Sequence, residues 1–187
     1  MTNYPDLNNL ILSIDNQLES VADFNNPAVL GATPVPMAKY ILVEVGARSL
    51  AIAIDNLAEV GPLPKITFLP NLPGWIKGIM NIRSEIISMV AFSGFLNEED
   101  VHTGREKKLV VLRSGKMKVG VEVDSIVGAV TRSTNDIQLS KKSTEGSVGK
   151  DLFLENLLVD GETYSILNVQ KFLTHPRLVN FAKESLS

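Results

Sequence analysis

The sequence predicts a mainly β protein of two similar small barrels packed as one domain. Three observations lead there. From Lys39 onward the apolar residues fall in short runs rich in Ile and Val: YILVEV, LAIAI, GIMNIR, EIISMVAF, KLVVLR, MKVGVEV, ENLLV and TYSILNV. Runs of about five to eight residues suit small barrels better than a sandwich of long strands. Gly46, Gly115 and Gly161 punctuate these runs as tight turns. The third observation is an internal repeat.

A shift of 69 residues lays Tyr40–Val60 on Leu109–Ala129. Gly46 falls on Gly115 and Asp55 on Asp124, while Ile41, Leu42, Val43, Leu50, Ile52, Ile54 and Leu57 fall on Val110, Val111, Leu112, Val119, Val121, Val123 and Ile126. A shift of 77 lays Ser84–Leu96 on Gly161–Leu173, with Glu85 on Glu162, Ser88 on Ser165 and Phe95 on Phe172. The eight extra residues match a Lys/Ser/Gly-rich stretch, KKSTEGSVGK at 141–150. Two halves follow, subdomain 1 at about 39–97 and subdomain 2 at about 107–173, joined by the polar connector at 97–106. Each half is expected to hold a hairpin, a helical turn after its Asp, a second hairpin and a short helix. Asp160-Gly161 reads as a two-residue hairpin turn, and its partner in the first half is Arg83-Ser84. That hairpin therefore carries an Arg at its tip, where a guanidinium suits recognition of a carboxylate.

Helices flank the barrels. Leu7, Leu10, Ile11, Ile14 and Leu18 form one apolar stripe, which predicts a helix. Docking of that stripe on its own domain avoids an exposed apolar face; a partner is the alternative. Residues 23–38 read as a linker broken by Pro27, Pro34 and Pro36, so 1–38 form a leader ahead of the domain at 39–175. The leader has four acidic residues and no Lys or Arg, so it carries −4 while residues 39–187 carry +1. At the other end a helix is expected over 176–187, with Thr174 as its cap, Pro176 in its first turn, and Leu178, Val179, Ala182 and Leu186 as its apolar face.

Composition narrows the chemistry. The 187 residues include no Cys, which removes disulfides, thiolate metal sites and Cys nucleophiles. His102 and His175 are the two histidines, and neither sits in a metal or catalytic motif. GxSxG, HExxH and GxxxxGK[ST] are all absent, so the sequence offers no catalytic, cofactor or metal residues. Glu98-Glu99-Asp100 reads as a solvated linker, and Lys107-Lys108 and Lys141-Lys142 are too short for a phosphate-binding face. A net charge of −3 without a basic run argues against nucleic acid. No apolar run reaches about 18 residues and the first residues lack a signal-peptide pattern, so a cytoplasmic protein without direct membrane insertion is expected.

One block is specific. Leu69-Pro70-Asn71-Leu72-Pro73-Gly74-Trp75-Ile76-Lys77-Gly78-Ile79-Met80-Asn81-Ile82-Arg83 resembles the signature of the CheW family of chemotaxis coupling proteins. The resemblance extends over about 39–175 and includes VGVEVDSIVGAV at 119–130. It implies two five-stranded SH3-like barrels. It also implies a non-catalytic adaptor joining the cytoplasmic tip of a chemoreceptor to the regulatory domain of a CheA-type histidine kinase, with self-association in membrane-associated receptor arrays. On this resemblance the partner-binding residues are Glu59, Gly78, Asn81 and Arg83. Within the family, the N-terminal extension, Trp75-Ile76-Lys77-Gly78 and Gly94-Phe95-Leu96 are similar to the PilI-type couplers of twitching-motility and phototaxis systems. Three positions depart from the family pattern. Ser84 stands where Gly usually follows the Arg, which implies a different turn. Ser88-Met89-Val90-Ala91-Phe92 lacks the usual Pro and Asp, and Asn168 matches Ala91 in the second half. A regulatory subunit that competes with a true coupler is the alternative; an enzyme or small-ligand-binding barrel is a further one.

Overall fold

A computed structural model describes residues 36–97, 106–139, 150–153 and 155–180. The expected N-terminal helix, most of its linker, residues 98–105 of the inter-half connector and residues 141–149 of the KKSTEGSVGK insertion lie outside the described residues. Strands β1 (Met37–Val45) and β2 (Arg48–Ala53) form a hairpin, and a 3-10 turn (Ile54–Asn56) leads to β3 (Leu57–Pro62). Then come β4 (Ile76–Ile82), β5 (Glu85–Ala91) and helix α1 (Phe92–Leu96). The second half supplies β6 (Lys108–Ser114), β7 (Met117–Val123), β8 (Ser125–Ser133) and β9 (Ile137–Leu139). It ends with β10 (Glu155–Val159), β11 (Glu162–Ile166), α2 (Val169–Leu173) and α3 (Pro176–Val179).

The strands make two sheets, as the repeat predicts, but each half does not form its own. Sheet A runs β8-β1-β2-β11-β10-β9 and sheet B runs β3-β6-β7-β5-β4. Under the shifts of 69 and 77, the two orders superpose strand for strand. The leading hairpin of each half has changed places. β1–β2 joins the second half through parallel pairing of β2 with β11, at Leu50–Ser165 and Ala51–Ile166. β6–β7 joins the first half through parallel pairing of β5 with β7. Subdomains drawn at 39–97 and 107–173 are thus repeats of sequence, not separate bodies. Sheet A also has six strands where five were expected, because β9 extends it. Its counterpart in sheet B is the single bridge Thr67–Ile79.

Burial explains the unbroken apolar runs. Ile41, Val43 and Val45 of β1 and Leu50 and Ile52 of β2 meet Val110, Leu112, Val119, Val121 and Val123 in one core shared by both sheets. The alternate residues Tyr40, Leu42 and Ala51 pack instead with Leu157, Val159 and Tyr164 of sheet A. Leu109 and Val111 pack with Met80, Ile87 and Met89 of sheet B. A strand buried on both faces loses the polar alternation of a half-exposed one. The helices close the shared core with Phe92, Phe95 and Phe172, whose rings meet edge to face at centroid separations of 5.0 Å.

Three local expectations change. The helical turn after Asp55 forms, but the equivalent Asp124 is followed directly by β8. Asp124 is buried and its Oδ2 accepts from Gly46 N at 2.6 Å, while Lys107 Nζ lies 3.6 Å from Oδ1 and 3.0 Å from Glu122 Oε1. These contacts hold Asp124 at the turn between β1 and β2. Lys107 is accordingly tied into the fold. The cap of α3 is His175, whose Nδ1 accepts from Arg177 N at 3.2 Å, and not Thr174, which closes α2 by donating to Gln170 O. Among the described residues α3 is a single turn, in which Leu178 packs on the core and Val179 is exposed. Finally, Met37 and Ala38, placed in the linker from sequence, begin β1.

Candidate functional site

Three of the four residues singled out by the sequence, Glu59, Asn81 and Arg83, meet at the end of sheet B. Ile82 pairs with Glu85, so Arg83 and Ser84 alone turn the β4–β5 hairpin. Their φ values are 49° and 68°, both in the left-handed region, as are Asp160 at 51° and Gly161 at 86°. Both hairpins therefore use a type I′-like turn, the form that matches strand twist. Ser84 does not change the turn, contrary to the expectation. Asn81 Oδ1 accepts from Ser84 N at 3.1 Å and anchors the tip from inside.

Arg83 then faces β3, which is an edge strand of sheet B. Its Nε lies 3.2 Å from Glu59 Oε2. The Glu59 side chain is 32% exposed and that of Arg83 is 83% exposed. Glu59 follows an irregularity in the β3–β6 register between Leu57 and Glu59. One ion pair thus bridges the strand edge to the hairpin tip. Lys118 and Glu85 form a second ion pair beside it, which the sequence reading missed. The pair joins β7 of one half to β5 of the other, so only the hairpin exchange brings it together. Between the two pairs lies a cavity of about 110 Å³, lined by Ala58, Ile82, Ile87 and Val111.

Gly78 stands apart from this rim. It is buried at a bulge in the β4–β5 register, with φ 137°. A Cβ there would sit 2.1 Å from Thr67 O. Thr67 N donates to Ile79 O at 2.8 Å and Ile79 N donates to Thr67 O at 2.9 Å. Gly78 lets residues 66–68 cross the sheet; the close approach it permits is internal.

The matching end of sheet A carries the same framework with different chemistry. Ala58, Ile82, Ile87 and Val111 are replaced by Val127, Val159, Tyr164 and Leu42 around a cavity of about 390 Å³. Arg83 becomes Asp160 and Glu59 becomes Gly128, so the charge of the tip is reversed and its partner comes from another position on the edge strand β8. Arg132 Nη2 lies 3.9 Å from Asp160 Oδ1, and the Tyr164 hydroxyl donates to Glu162 Oε2 at 3.1 Å. Burial first, and then the Glu162 bond, raise the Tyr164 pKa above its ordinary value. Among the described residues no group of three or more His, Asp or Glu is placed to hold a metal ion. No described helix is long and apolar enough to cross a membrane.

Charged hairpin tips beside edge strands are features that a protein-contact module can use. The CheW-like domain model matches residues 39–177, and the chain belongs to that family. It is 26% identical over 131 residues to the chemotaxis protein CheW of Thermotoga maritima, covering 70% of this chain and 83% of that one. It is 26% identical over 84 residues to PilI of Pseudomonas aeruginosa, covering 45% of this chain and 47% of the relative. It is also 27% identical over 133 residues, or 70% of this chain, to a part of the chemotaxis protein CheA of Borreliella burgdorferi that makes up 14% of that protein. Among solved structures, the scaffolding protein TtCheW of Thermoanaerobacter tengcongensis superposes with a TM-score of 0.64 at 18% identity, covering 71% of this chain and 90% of the other.

Proposed function

We propose that this chain is a non-catalytic coupling scaffold in chemotaxis, phototaxis or twitching-motility signalling, joining a chemoreceptor to a CheA-type kinase. The observation that carries the reading is the Arg83–Glu59 bridge on a rigid two-residue turn. Glu59 occupies the Nε edge and fixes the guanidinium plane, leaving the terminal nitrogens to meet a carboxylate. Glu59, Asn81 and Arg83 form the partner rim, and Gly78 supports it from within.

The kinase relative contains a segment like this chain, so scaffold and kinase can present related surfaces to one another. Two equivalent barrel ends, one tipped by Arg83 and one by Asp160, give such pairing a direction and permit self-association. The receptor tip is the other partner, and recruitment of a cytoplasmic protein to membrane-associated receptor arrays follows. Contacts of this kind gain strength by repetition.

Arg83→Glu tests the reading. Capture of a receptor tip fragment or kinase regulatory domain should fall at least tenfold, with the far-UV spectrum and Tm unchanged. Wild-type affinity in the variant would remove the rim from the interface. In a kinase autophosphorylation assay with receptor present, a coupler is required for receptor control, whereas a competing subunit reduces it.

A further inference from the structure

A third cavity is lined by residues of both halves. It measures about 370 Å³ and is lined on sheet A by Tyr40 and Glu155, on the β6–β7 hairpin by Ser114, and by Asn56, Asn168 and Gln170. Tyr40 is 5% exposed, yet its hydroxyl makes no hydrogen bond with a described residue. Glu155 is exposed and has no ion-pair partner among the described residues. Asn56 uses its Nδ2 on Arg113 O at 3.4 Å, which leaves its carbonyl oxygen available. Asn168 Oδ1 already caps Lys171 N and retains a second lone pair. Among the described residues the lining offers oxygen acceptors and one formal negative charge, and no cationic side chain.

The repeat supplies the control. Tyr40, Ser114, Glu155 and Asn168 correspond to Leu109, Val45, Gly78 and Ala91. Those four positions, one in the second half and three in the first, are buried and carry no polar side chain. Duplication of the fold therefore does not account for the polar lining, and packing does not need it. Burial, and then Glu155, also raise the Tyr40 pKa, so the hydroxyl stays protonated beside the carboxylate.

We propose that this cavity seats the arginine or lysine side chain of a partner protein. Glu155 supplies the charge; Tyr40, Ser114, Asn56 and Asn168 supply acceptors for the N–H groups, which a guanidinium or ammonium offers without needing an acceptor itself. That the cation arrives on a partner's side chain rests on the scaffold reading above. The preference for a cation does not.

The test is amide NMR titration of the full chain with Nα-acetyl-L-argininamide, Nα-acetyl-L-lysinamide, neutral Nα-acetyl-L-glutaminamide and free putrescine. A charged capped amino acid should give saturable shifts at Tyr40, Ala53, Asn168 and Gln170, and the glutamine probe should not. Glu155→Gln should weaken binding about fivefold, as for an ion pair in contact with solvent, and Tyr40→Phe about threefold, the low end for one hydrogen bond. Both substitutions are nearly isosteric, and an unchanged spectrum elsewhere reports an intact fold. Equal binding of the glutamine probe, or an affinity insensitive to Glu155→Gln, overturns the cation site. Tighter binding of putrescine than of either capped residue overturns the partner side chain in favour of a small amine. Neither result depends on kinase coupling, so failure here and failure of the scaffold reading are distinguishable.

Discussion

Gly78→Ala separates a folding role from a contact role at the centre of the family signature. The new Cβ would sit 2.1 Å from Thr67 O and 2.9 Å from Thr67 C, both backbone atoms that cannot rotate aside. The φ of 137° costs a non-glycine residue about 1–3 kcal/mol. Pushing residues 66–68 away breaks the two Thr67–Ile79 hydrogen bonds, at about 1 kcal/mol each. Reduced freedom of the unfolded chain returns about 0.5–1 kcal/mol. The net loss is about 3 kcal/mol, which lowers Tm by about 6–12 °C in a protein of this size. Urea and thermal unfolding measure it, with Gly74→Ala as the control, since a Cβ there has nothing within 4 Å. A Gly78→Ala protein that melts like the wild type refutes the bulge argument. If it also loses partner capture, Gly78 is a contact residue after all.

Other substitutions probe the turn, the buried carboxylate and the tyrosine. Ser84→Gly relieves a left-handed non-glycine residue and should stabilise the protein by about 0.5–1 kcal/mol in urea, with capture unchanged. Asp124→Asn removes the buried charge that Lys107 and Gly46 share and should cost about 3 kcal/mol, whereas Asp55→Asn on the surface should cost less than about 0.5 kcal/mol. The raised pKa of Tyr164 means that above the unfolded value the unfolded chain releases a proton the folded chain keeps. Its contribution is therefore present below pH about 10 and is lost as the pH rises toward the folded value. Tyr164→Phe should flatten the alkaline fall in Tm; an unchanged slope would refute the assignment.

What the sequence revealed follows the range of the interactions. Hairpins and their turns are local, so Gly46, Gly115 and the Asp160-Gly161 pair were legible, and the repeat carried the Arg83-Ser84 turn with them. The exchange of hairpins was not legible, because the pairings of β2 with β11 and of β5 with β7 join residues far apart in the chain. The same distance hid the Lys118–Glu85 pair. Asp55 and Asp124 look equivalent in sequence and differ in burial, since Lys107 has no basic match 69 residues earlier, where Ala38 stands. Asn81 and Arg83 were placed by resemblance, and their geometry followed from the turn. Gly78 was grouped with them because the signature gives its identity but not the direction in which space is lacking.

The exchange has a consequence for how the protein can be divided. The repeated unit in the sequence is not the unit that folds. A chain cut between Asn97 and Glu106 would leave each fragment without the hairpin that completes its sheet, and each would hold the hairpin the other needs. The halves are each other's missing strands, so the two fragments should remain unfolded apart and assemble into one native particle when mixed.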